Sequence, residues 1–516
     1  MKKHAVWRSV MRTTRFAAAI VATLLASSAA SGAEVWLKSA RGEVTVHSAQ
    51  EFQRALANVK PGDAIALAPG NYPKLTIRNV KPSETIVVRS EDPSRPAQVS
   101  GIDIADSQNV WVQQLAITTT AGIGTARDSA MVNVRNSKDI GIVANKVFGW
   151  PDGNYGNDPD GVHFDTADNV TFALNEMHDL GRGVVFATVR DARMTENTLY
   201  NLRSDGADFA GVQRVEIDGN LFTTFHPIEP DHPDFIQFWT REAKIRDTHS
   251  VYIHHNVMLQ GAGTGESPQA IFIGNENPGW VYRDFRIENN IIYNGVPHGI
   301  SLYDVVGARV ANNTIVMAPG SDPRMRPKIN LTGSRDVEVV ANVVPQIGQE
   351  RSQAIRLDNN IETYAATPGQ ALHPEQLFLD PNAGPNATAL SFAPVPGSRL
   401  AGVMPVGALP PLAPAWREEL AIVRTPLGVR RNFEVQFDAR MNDDPAAAAD
   451  VIYQWDFGDQ NTGEGPVVVH RYGGPGVYPV KLTVRRNGKV IQGVRHVQVG
   501  EVALASPAMR PEVSHG

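Results

Sequence analysis

Six segments in the middle of the chain share one alternation of apolar and chemically active residues. They are residues 160–165, 182–187, 205–210, 234–239, 269–274 and 298–303. The third and fifth residues of every segment are apolar, whereas the fourth and sixth include imidazole, carboxylate, amide and aromatic groups. A period of two is typical of a strand with one buried face. We therefore expect the fourth and sixth residues to share one outward surface.

This predicted surface gathers side chains that can move protons or hold a sugar. Ionisable groups crowded together are enriched at functional sites, because each perturbs the pKa of the next. The predicted catalytic residues are His163, Asp208, Arg182, Arg241 and His232. The predicted substrate contacts are Asp165, Gln237, Trp239 and Tyr303. We expect His163 and Asp208 to point into solvent, and Ser301, in the same column, to be a neutral outer position.

The favoured chemistry is β-elimination or C5-epimerisation of a uronate polymer. Both reactions remove the proton beside a carboxylate, so both need a base, a cation to neutralise the carboxylate, and a proton donor. His163 is the expected base and Arg182 or Arg241 the expected cation. Tyr303 or His232 is the expected donor.

Two alternatives stay open. Inverting glycoside hydrolysis needs two carboxyl groups about 6.5–9.5 Å apart, with room for a water molecule between them. Asp165, Asp208 and Asp234 could supply such a pair. The other alternative is a polymer-binding scaffold or adhesin without catalysis, in which Trp239 and Tyr303 stack on sugar rings.

Three carboxylates predict a bound cation. Asp160, Asp205 and Asp234 each open one of the aligned segments, so the predicted register brings them near one another. Carboxylate oxygens are hard ligands of the kind that Ca²⁺ prefers. Asp160 and Asp205 precede glycine and could instead serve as turn residues. A Ca²⁺ ion at these residues is the predicted cofactor.

A recurrent asparagine indicates the architecture that positions these residues. The asparagines are Asn145, Asn175, Asn197, Asn220, Asn256, Asn290, Asn313 and Asn342. Several successive spacings are 22 or 23 residues, with longer steps where insertions occur. Such a period predicts stacked coils that bury a common core, with like residues about 4.8 Å apart. The fold class is therefore all-β, a parallel β-helix with an internal asparagine ladder.

Composition and the first residues restrict the class of protein. The chain has 516 residues, a net charge of -6 and no cysteine, so disulfides and thiol chemistry are excluded and a basic nucleic-acid-binding surface is not expected. A basic stretch, a short apolar run and small residues over 1–33 are typical of a signal peptide. The apolar run is too short to span a membrane. We expect a secreted or periplasmic protein.

Residues 48–72 carry a family resemblance. The stretch from Ser48 through Pro61-Gly62 to Tyr72 resembles the opening of alginate-lyase and chondroitinase-B-like members of the pectate-lyase-like right-handed parallel β-helix superfamily. The resemblance extends over about residues 40–400 and implies a polysaccharide substrate and a capping helix, for which residues 49–59 have helical spacing.

The chain also departs from the patterns of these families. It lacks the Lys/Arg pair and the acidic calcium cluster of chondroitinase-B-like lyases. Asp160 stands where alginate epimerases have histidine after Asp158-Pro159. Arg182 stands where polygalacturonases have paired aspartates. These departures put the reaction type in doubt, but not the fold.

A second domain follows a proline-rich stretch. Residues 427–500 alternate as a β-sandwich does, and the segments 453–459, 470–472 and 476–484 closely resemble the polycystic-kidney-disease (PKD) domain. The resemblance places Trp455 in the core and Gly458-Asp459 in a turn. The predicted organisation is a signal peptide over 1–33, a β-helix over 34–392, a linker over 393–426, the PKD domain over 427–500 and a tail over 501–516.

Overall fold

The structure is a computed structural model. It describes residues 37–118, 130–240, 243–245, 247–261, 267–274, 280–395, 397–401, 406–408, 429–430, 434–438, 451–465, 467–474, 476–486 and 489–499. The predicted signal peptide and the predicted catalytic Arg241 lie outside these residues. Among the described helices, none has the length and apolar character needed to cross a membrane.

Parallel strands wind into stacked coils, as predicted. Each central coil has three strands, which we call the first, second and third faces in chain order, and each strand pairs with the matching strand of the next coil. First-face strands are Leu75–Arg78, Ile102–Ala105, Ala207–Ala210, Asp234–Trp239, Gln269–Ile273, His298–Tyr303, Lys328–Thr332 and Gln346–Glu350. The bent strands Ala130–Val143, Asp160–Ala173 and Val184–Thr195 form both the first and second faces.

The remaining strands complete each coil. Second-face strands are Glu43–Val46, Ala64–Leu67, Ile86–Ser90, Gln108–Gln113, Gln213–Asp218, Asp247–His254, Val281–Glu288, Val305–Ala311, Arg335–Val340 and Gln353–Asp358. Third-face strands are Asn71–Tyr72, Gln98–Val99, Ala116–Thr118, Lys146–Phe148, Glu176–Leu180, Thr198–Leu202, Leu221–Phe225, Val257–Leu259, Ile291–Asn294, Thr314–Met317, Val343–Val344 and Ile361–Glu362. The chain leaves this regular path mainly between the third and first faces and between the first and second faces, where the insertions lie.

The interior of the coils is apolar and ordered by stacking. Phe164, Phe186, Phe209 and Phe238 are all 0% exposed, and the centroids of successive rings are 4.9 Å apart. This spacing matches the separation of neighbouring parallel strands. The fifth residues of the aligned segments thus form one continuous column, which confirms that they face inward.

The asparagine ladder is confirmed. The Asn197 backbone N–H and side-chain amide both donate to Oδ1 of Asn220, at 3.0 and 2.9 Å, and Asn220 donates in the same way to Asn256. The Asn220 amide also donates to the Met194 carbonyl of the preceding coil, at 2.9 Å. The ladder continues to Asn360, one step beyond the predicted series. Each asparagine follows a left-handed residue, and the side-chain bonds satisfy the backbone of that turn.

The two ends of the solenoid are finished differently. The helix Ala49–Asn58 covers the first coils with Phe52 and Leu56, and Ser48 caps it by accepting a hydrogen bond from the Glu51 backbone N–H. This confirms the predicted helix to within one residue. At the other end the strand Gln353–Asp358 is largely exposed and pairs only with Arg335–Val340 among the described strands.

The predicted linker is partly packed against the β-helix. Beyond the last coil lie the short helices Pro374–Leu377, Gly384–Asn386, Ala389–Phe392 and Arg399–Ala401. Another short helix, Pro323–Met325, lies earlier in the chain, between the strands Thr314–Met317 and Lys328–Thr332. Leu400, Val406 and Ala408 are buried in a cluster with third-face side chains, and the Gly407 backbone N–H donates to the Ala341 carbonyl at 2.7 Å. A linker makes few buried contacts, so the prediction of a linker from residue 393 onward is wrong for these described residues. The outer side of the third face is apolar here and needs a cover, which local sequence composition did not reveal.

The C-terminal strands form two antiparallel sheets. One contains Val429–Arg430, Glu434–Asp438 and Val467–Arg471, and the other Val451–Asp456, Thr462–Glu464, Gly476–Arg486 and Lys489–Val499. Trp455 is 2% exposed beside Phe437 and Phe457, which confirms its predicted core position. Gly458 has a φ of 77° in the predicted turn.

Replacing a ladder residue should destabilise the β-helix. Asn220→Ala removes the acceptor for two donors of Asn197, so we expect the free energy of unfolding to fall by about 1–3 kcal/mol. Urea titration of the variant measures this. Asn58→Ala, at an exposed helix end, is the control and should change stability by less than about 0.5 kcal/mol. Equal effects of the two substitutions would contradict the structural role of the ladder.

The packed segment gives a truncation test. A chain ending after residue 415 retains Leu400, Val406 and Ala408 and should keep the melting temperature of the β-helix. A chain ending after residue 392 loses these buried groups and should melt several degrees lower, because apolar third-face surface is exposed. Thermal denaturation followed by circular dichroism compares the two. The prediction fails when the shorter chain is as stable as the longer one.

Candidate active site on the first face

The register of the first face agrees with the alignment of the six segments. His163 pairs with Val185, Val185 with Asp208, and Asp208 with Gln237. The same column continues through Phe272 to Ser301. The structure thus brings His163, Asp208 and Gln237 onto one surface, with His163 and Asp208 two coils apart.

The predicted exposure of this column is wrong at two positions. Asp208 and Ser301 are both 0% exposed. Arg182 reaches Asp208 from the neighbouring coil, with Nη1 3.5 Å from Oδ2. Ser301 contacts Nδ1 of His298 at 2.9 Å and accepts from the Asn330 amide at 3.3 Å. Alternation along a strand determines the side on which a residue lies, but not what covers it, so Ser301 is no neutral control.

Arg182 joins two carboxylates across three coils. Its backbone N–H and Nε donate to the two oxygens of Asp160, each at 3.0 Å, and Nη2 lies 2.9 Å from Asp160 Oδ2. Its remaining arm approaches Asp208. The guanidinium contacts one oxygen of Asp160 and the backbone N–H the other, and both residues are largely buried, so the charge-assisted contact is strong. Gly181 makes room for it, because a Cβ there would lie 2.8 Å from Asp160 Oδ1.

The partly buried Asp205 and the buried Asp234 form a pair beside this network. The Asp234 backbone N–H donates to Asp205 Oδ1 at 2.8 Å, and the Gln237 amide donates to Asp234 Oδ2 at 3.1 Å. Burial raises the pKa of Asp205 to about 6, against the opposing effects of the Asp234 N–H and Arg182. Burial, together with the charges of Asp205 and Asp208, holds the pKa of Asp234 well above its ordinary value. The environment therefore favours the neutral form of the Asp234 carboxyl.

One oxygen of Asp234 has no hydrogen-bond partner among the residues that the structure describes. Its Oδ1 is buried and makes no hydrogen bond within the described part of the chain. A buried polar atom left unsatisfied costs about 1–3 kcal/mol and is uncommon in native proteins. A carboxyl group with a raised pKa and one oxygen without a hydrogen bond is a candidate proton donor to a bound molecule.

The predicted calcium ligands are already engaged with protein groups. Asp160 binds Arg182 through both oxygens, and Asp205 accepts from the Asp234 backbone. Ca²⁺ prefers six to eight oxygen ligands, so a site of all three carboxylates would require Asp160 to leave Arg182. These residues fit the ion poorly, and calcium binding stays a prediction of the sequence.

The rim of the surface carries an ion pair that sequence reasoning missed. Lys244 Nζ lies 2.9 and 3.1 Å from the two oxygens of Asp165 and donates to Thr166. Burial would raise the pKa of Asp165, but the hydrogen bonds from Lys244 and Thr166 lower it. Thr166 and Thr188 both have a φ of 60°, unusual for a β-branched residue, and both hydrogen-bond Lys244. The insertion after Trp239 contains Lys244, and it is the sequence feature that could have indicated this contact.

Aromatic side chains extend the same surface. Trp239 stacks above Ala210 in the column that begins at Asp165, and its Nε1 is buried without a hydrogen-bond partner among the described residues. Phe272 lies between His298 and Tyr303, with ring centroids 5.4 and 5.3 Å apart. His298 and Phe272 were not predicted as site residues, although both occur in the aligned segments. His232 is exposed at the start of the Asp234 strand.

A second buried carboxyl group borders the site. Asp158 accepts from the Trp150 backbone N–H at 3.0 Å, and burial raises its pKa to about 7. Its Oδ2 is buried and has no hydrogen bond to a described residue. In the sequence Asp158 stands out only as part of Asp158-Pro159-Asp160. Its burial depends on the insertion that folds over it.

Comparisons with known proteins agree with the architecture. Residues 160–344 match the family model of the right-handed beta helix region, and residues 424–499 match that of the PKD domain. No protein with a curated description matches the sequence. The fold resemblance predicted from residues 48–72 and 427–500 is thereby confirmed in its two parts.

Solved structures of several kinds are similar to this chain. An alginate lyase from a Paenibacillus species is 18% identical over 62% of this chain and 98% of its own, with a TM-score of 0.30. The adhesin PfbA of Streptococcus pneumoniae is 12% identical over 61% and 89%, with a TM-score of 0.38. An α-1,3-glucanase catalytic unit from Streptomyces thermodiastaticus is 13% identical over 63% and 70%, with a TM-score of 0.32. From the family models, this chain carries a right-handed β-helix region followed by a PKD domain.

Proposed function

We propose that this protein binds a polysaccharide along the first face and cleaves a glycosidic bond there by hydrolysis. The observation that carries the proposal is the group of the partly buried Asp205 with the buried Asp208 and Asp234, which we call the carboxyl cluster. Within it burial and neighbouring charges raise the pKa of Asp234 well above its ordinary value, whereas Asp208 lies beside the Arg182 guanidinium. Pairs of carboxyl groups whose environments separate their pKa values divide acid and base roles between them.

The roles follow from the environments. A general acid must keep its proton at working pH and release it to the leaving oxygen, which suits Asp234. A general base must be ionised, and Arg182 at 3.5 Å favours the charged form of Asp208. Asp205 donates no proton in this scheme, but its charge keeps the proton on Asp234.

Aromatic groups support a sugar ligand. Trp239 is half-buried, so one part of its ring remains accessible, and its Nε1 hydrogen has no acceptor among the described residues. A pyranose ring can contact the accessible part of the indole. Tyr303 and Phe272 lie farther along the same surface. Sequence reasoning chose Trp239 and Tyr303 for the same purpose.

β-Elimination or C5-epimerisation is the second candidate. It is favoured by His163, which shares the column of Asp208 and could remove a proton. Against it, Arg182 is already paired with Asp160 and Lys244 with Asp165, so a uronate carboxylate would meet engaged cations and several carboxyl groups. These contacts are why we place hydrolysis ahead of the reaction that the sequence favoured.

A location outside the cytoplasm belongs to the same proposal. The basic and apolar residues of 1–33 have the pattern of an export signal, and a polysaccharide-active protein meets its polymer after export. The adhesin alternative would share this location, so location does not separate the candidates.

A polysaccharide panel separates the reaction types. The purified protein is incubated with neutral and acidic polymers, and reducing ends and the absorbance of unsaturated uronates are followed together. We expect new reducing ends without that absorbance. Absorbance would select elimination, and a change of uronate configuration by NMR would select epimerisation. Binding without any product would contradict the enzymatic proposal.

Substitutions then assign the roles on a cleaved polymer. Asp234→Asn and Asp208→Asn should each lower kcat on the order of a hundredfold or more, because each removes one partner of the acid–base pair. His163→Ala should have a much smaller effect on hydrolysis but would abolish elimination. Asp168→Asn is the matched control. Asp168 lies on the same strand as His163, is half-exposed and pairs with Arg190 at 3.6 Å. Unchanged kcat in both cluster variants would place the active surface elsewhere.

The raised pKa of Asp205 also predicts how stability depends on pH. Its neutral form is favoured in the folded state, so this contribution is present below pH of about 4 and lost as pH rises through about 6. Asp205→Asn keeps an oxygen that can accept from the Asp234 N–H. It should therefore stabilise the protein at about pH 8 and have less effect at about pH 4, as measured by urea unfolding.

Asp165 provides a control of opposite sign. The pKa of Asp165 is lowered in the folded state, so its contribution is present above its ordinary pKa and lost as pH falls. Asp165→Asn should accordingly destabilise the protein at about pH 8, modestly because Lys244 is exposed. If Asp205→Asn also destabilises the protein at about pH 8, the Asp205 carboxyl is ionised in the folded state without a cost in stability.

A further inference from the structure

Two histidines and an aspartate converge on the second face, away from the carboxyl cluster. Asp218 ends one second-face strand, and its partner in the next coil is His254. His255 follows in the left-handed turn before Asn256, with a φ of 54°. Among the described residues, Asp218, His254 and His255 are the one group of three or more such ligands whose ligand atoms all lie within 4.8 Å of one another.

The distances between the ligand atoms suit a small cation. Nδ1 of His254 is 2.8 Å from Nδ1 of His255 and 3.1 Å from Asp218 Oδ1, and His255 Nδ1 is 3.7 Å from the same oxygen. Ligands bound at 2.0–2.1 Å around a tetrahedral zinc ion are about 3.3 Å from one another. The three observed separations lie on either side of that value.

The surrounding groups orient these ligands as the outer groups of metal sites do. Glu216 Oε1 is 3.1 Å from His254 Nε2, so it can fix the tautomer that leaves Nδ1 free to bind. The Tyr252 ring stacks on the His254 ring with centroids 3.7 Å apart. Thr195 donates to Asp218 Oδ2 at 3.4 Å, which leaves Oδ1 directed at the histidines.

An imidazolium at His254 also accounts for part of this arrangement. A protonated ring between Glu216 and Asp218 would make two ion pairs without a metal. It explains less well why a second imidazole nitrogen lies 2.8 Å from the nitrogen that faces Asp218. The two explanations predict different results: only the metal site predicts zinc binding that depends on His255.

We propose that Asp218, His254 and His255 bind one divalent transition-metal ion of the zinc type. Imidazole nitrogen with one carboxylate oxygen is a donor set suited to Zn²⁺, Ni²⁺ or Cu²⁺ rather than to Ca²⁺. The fourth position is left for water. The ion would link neighbouring coils where the step between ladder asparagines lengthens to 36 residues, around the coil that carries Asp234 and Trp239. This proposal does not rest on the proposed hydrolysis.

The test uses the full chain without a histidine tag, freed of metal by a chelator. Zinc is titrated into it by calorimetry, and the melting temperature is measured with and without zinc. We expect one zinc ion per chain and a higher melting temperature when it is bound, since a ligand of the folded state stabilises it. Calcium at the same concentration should give neither effect.

Substitutions locate the bound ion. His255→Ala removes a ligand at a partly exposed turn, so folding is preserved, and zinc affinity should fall more than tenfold. Asp218→Asn should also weaken binding, and Glu216→Gln should do so while leaving all three ligands present. The matched control is His249→Ala, since His249 on the same strand has a carboxylate 4.0 Å away but no second imidazole. Absence of zinc binding, or binding that survives His255→Ala, overturns the proposal.

Discussion

Each coil satisfies its backbone through the coils above and below it, and this constraint governs the rest of the molecule. The asparagine ladder extends this coil-to-coil hydrogen bonding into the turns. There the side-chain amides bond the backbone groups that follow a left-handed residue. Because the register is fixed in this way, residues at equivalent positions must lie about 4.8 Å apart. The same rule that stacks Phe186 on Phe209 in the interior also stacks acidic side chains outside.

The carboxyl cluster is a consequence of this fixed register. Asp205 and Asp234 occupy equivalent positions on adjacent coils, so they cannot separate without breaking the register. The protein accommodates them by a raised pKa at Asp234 and by the guanidinium of Arg182 near Asp205 and Asp208. A repetitive scaffold thereby turns an electrostatic cost into a perturbed pKa, which is the property that acid–base chemistry requires.

Periodic features could be predicted from the sequence, whereas features made by insertions could not. The ladder, the interior phenylalanines, the shared column of His163 and Asp208, and Trp455 follow from local spacing or motif. The burial of Asp208, the Lys244–Asp165 pair and the packing of Val406 depend on chain segments far apart in sequence. Alternation tells which side of a strand a residue occupies, but what lies over that side is decided elsewhere.

The exposed strand Gln353–Asp358 has a consequence for self-association. A solenoid that ends in an open strand edge offers a template on which another chain could continue the stack. Here that edge carries Arg356 and Asp358, with Arg351 just before it, all largely exposed. An added strand would have to bury these charges, while the opposite end is closed by the helix Ala49–Asn58. The charged edge therefore opposes end-to-end fibre growth.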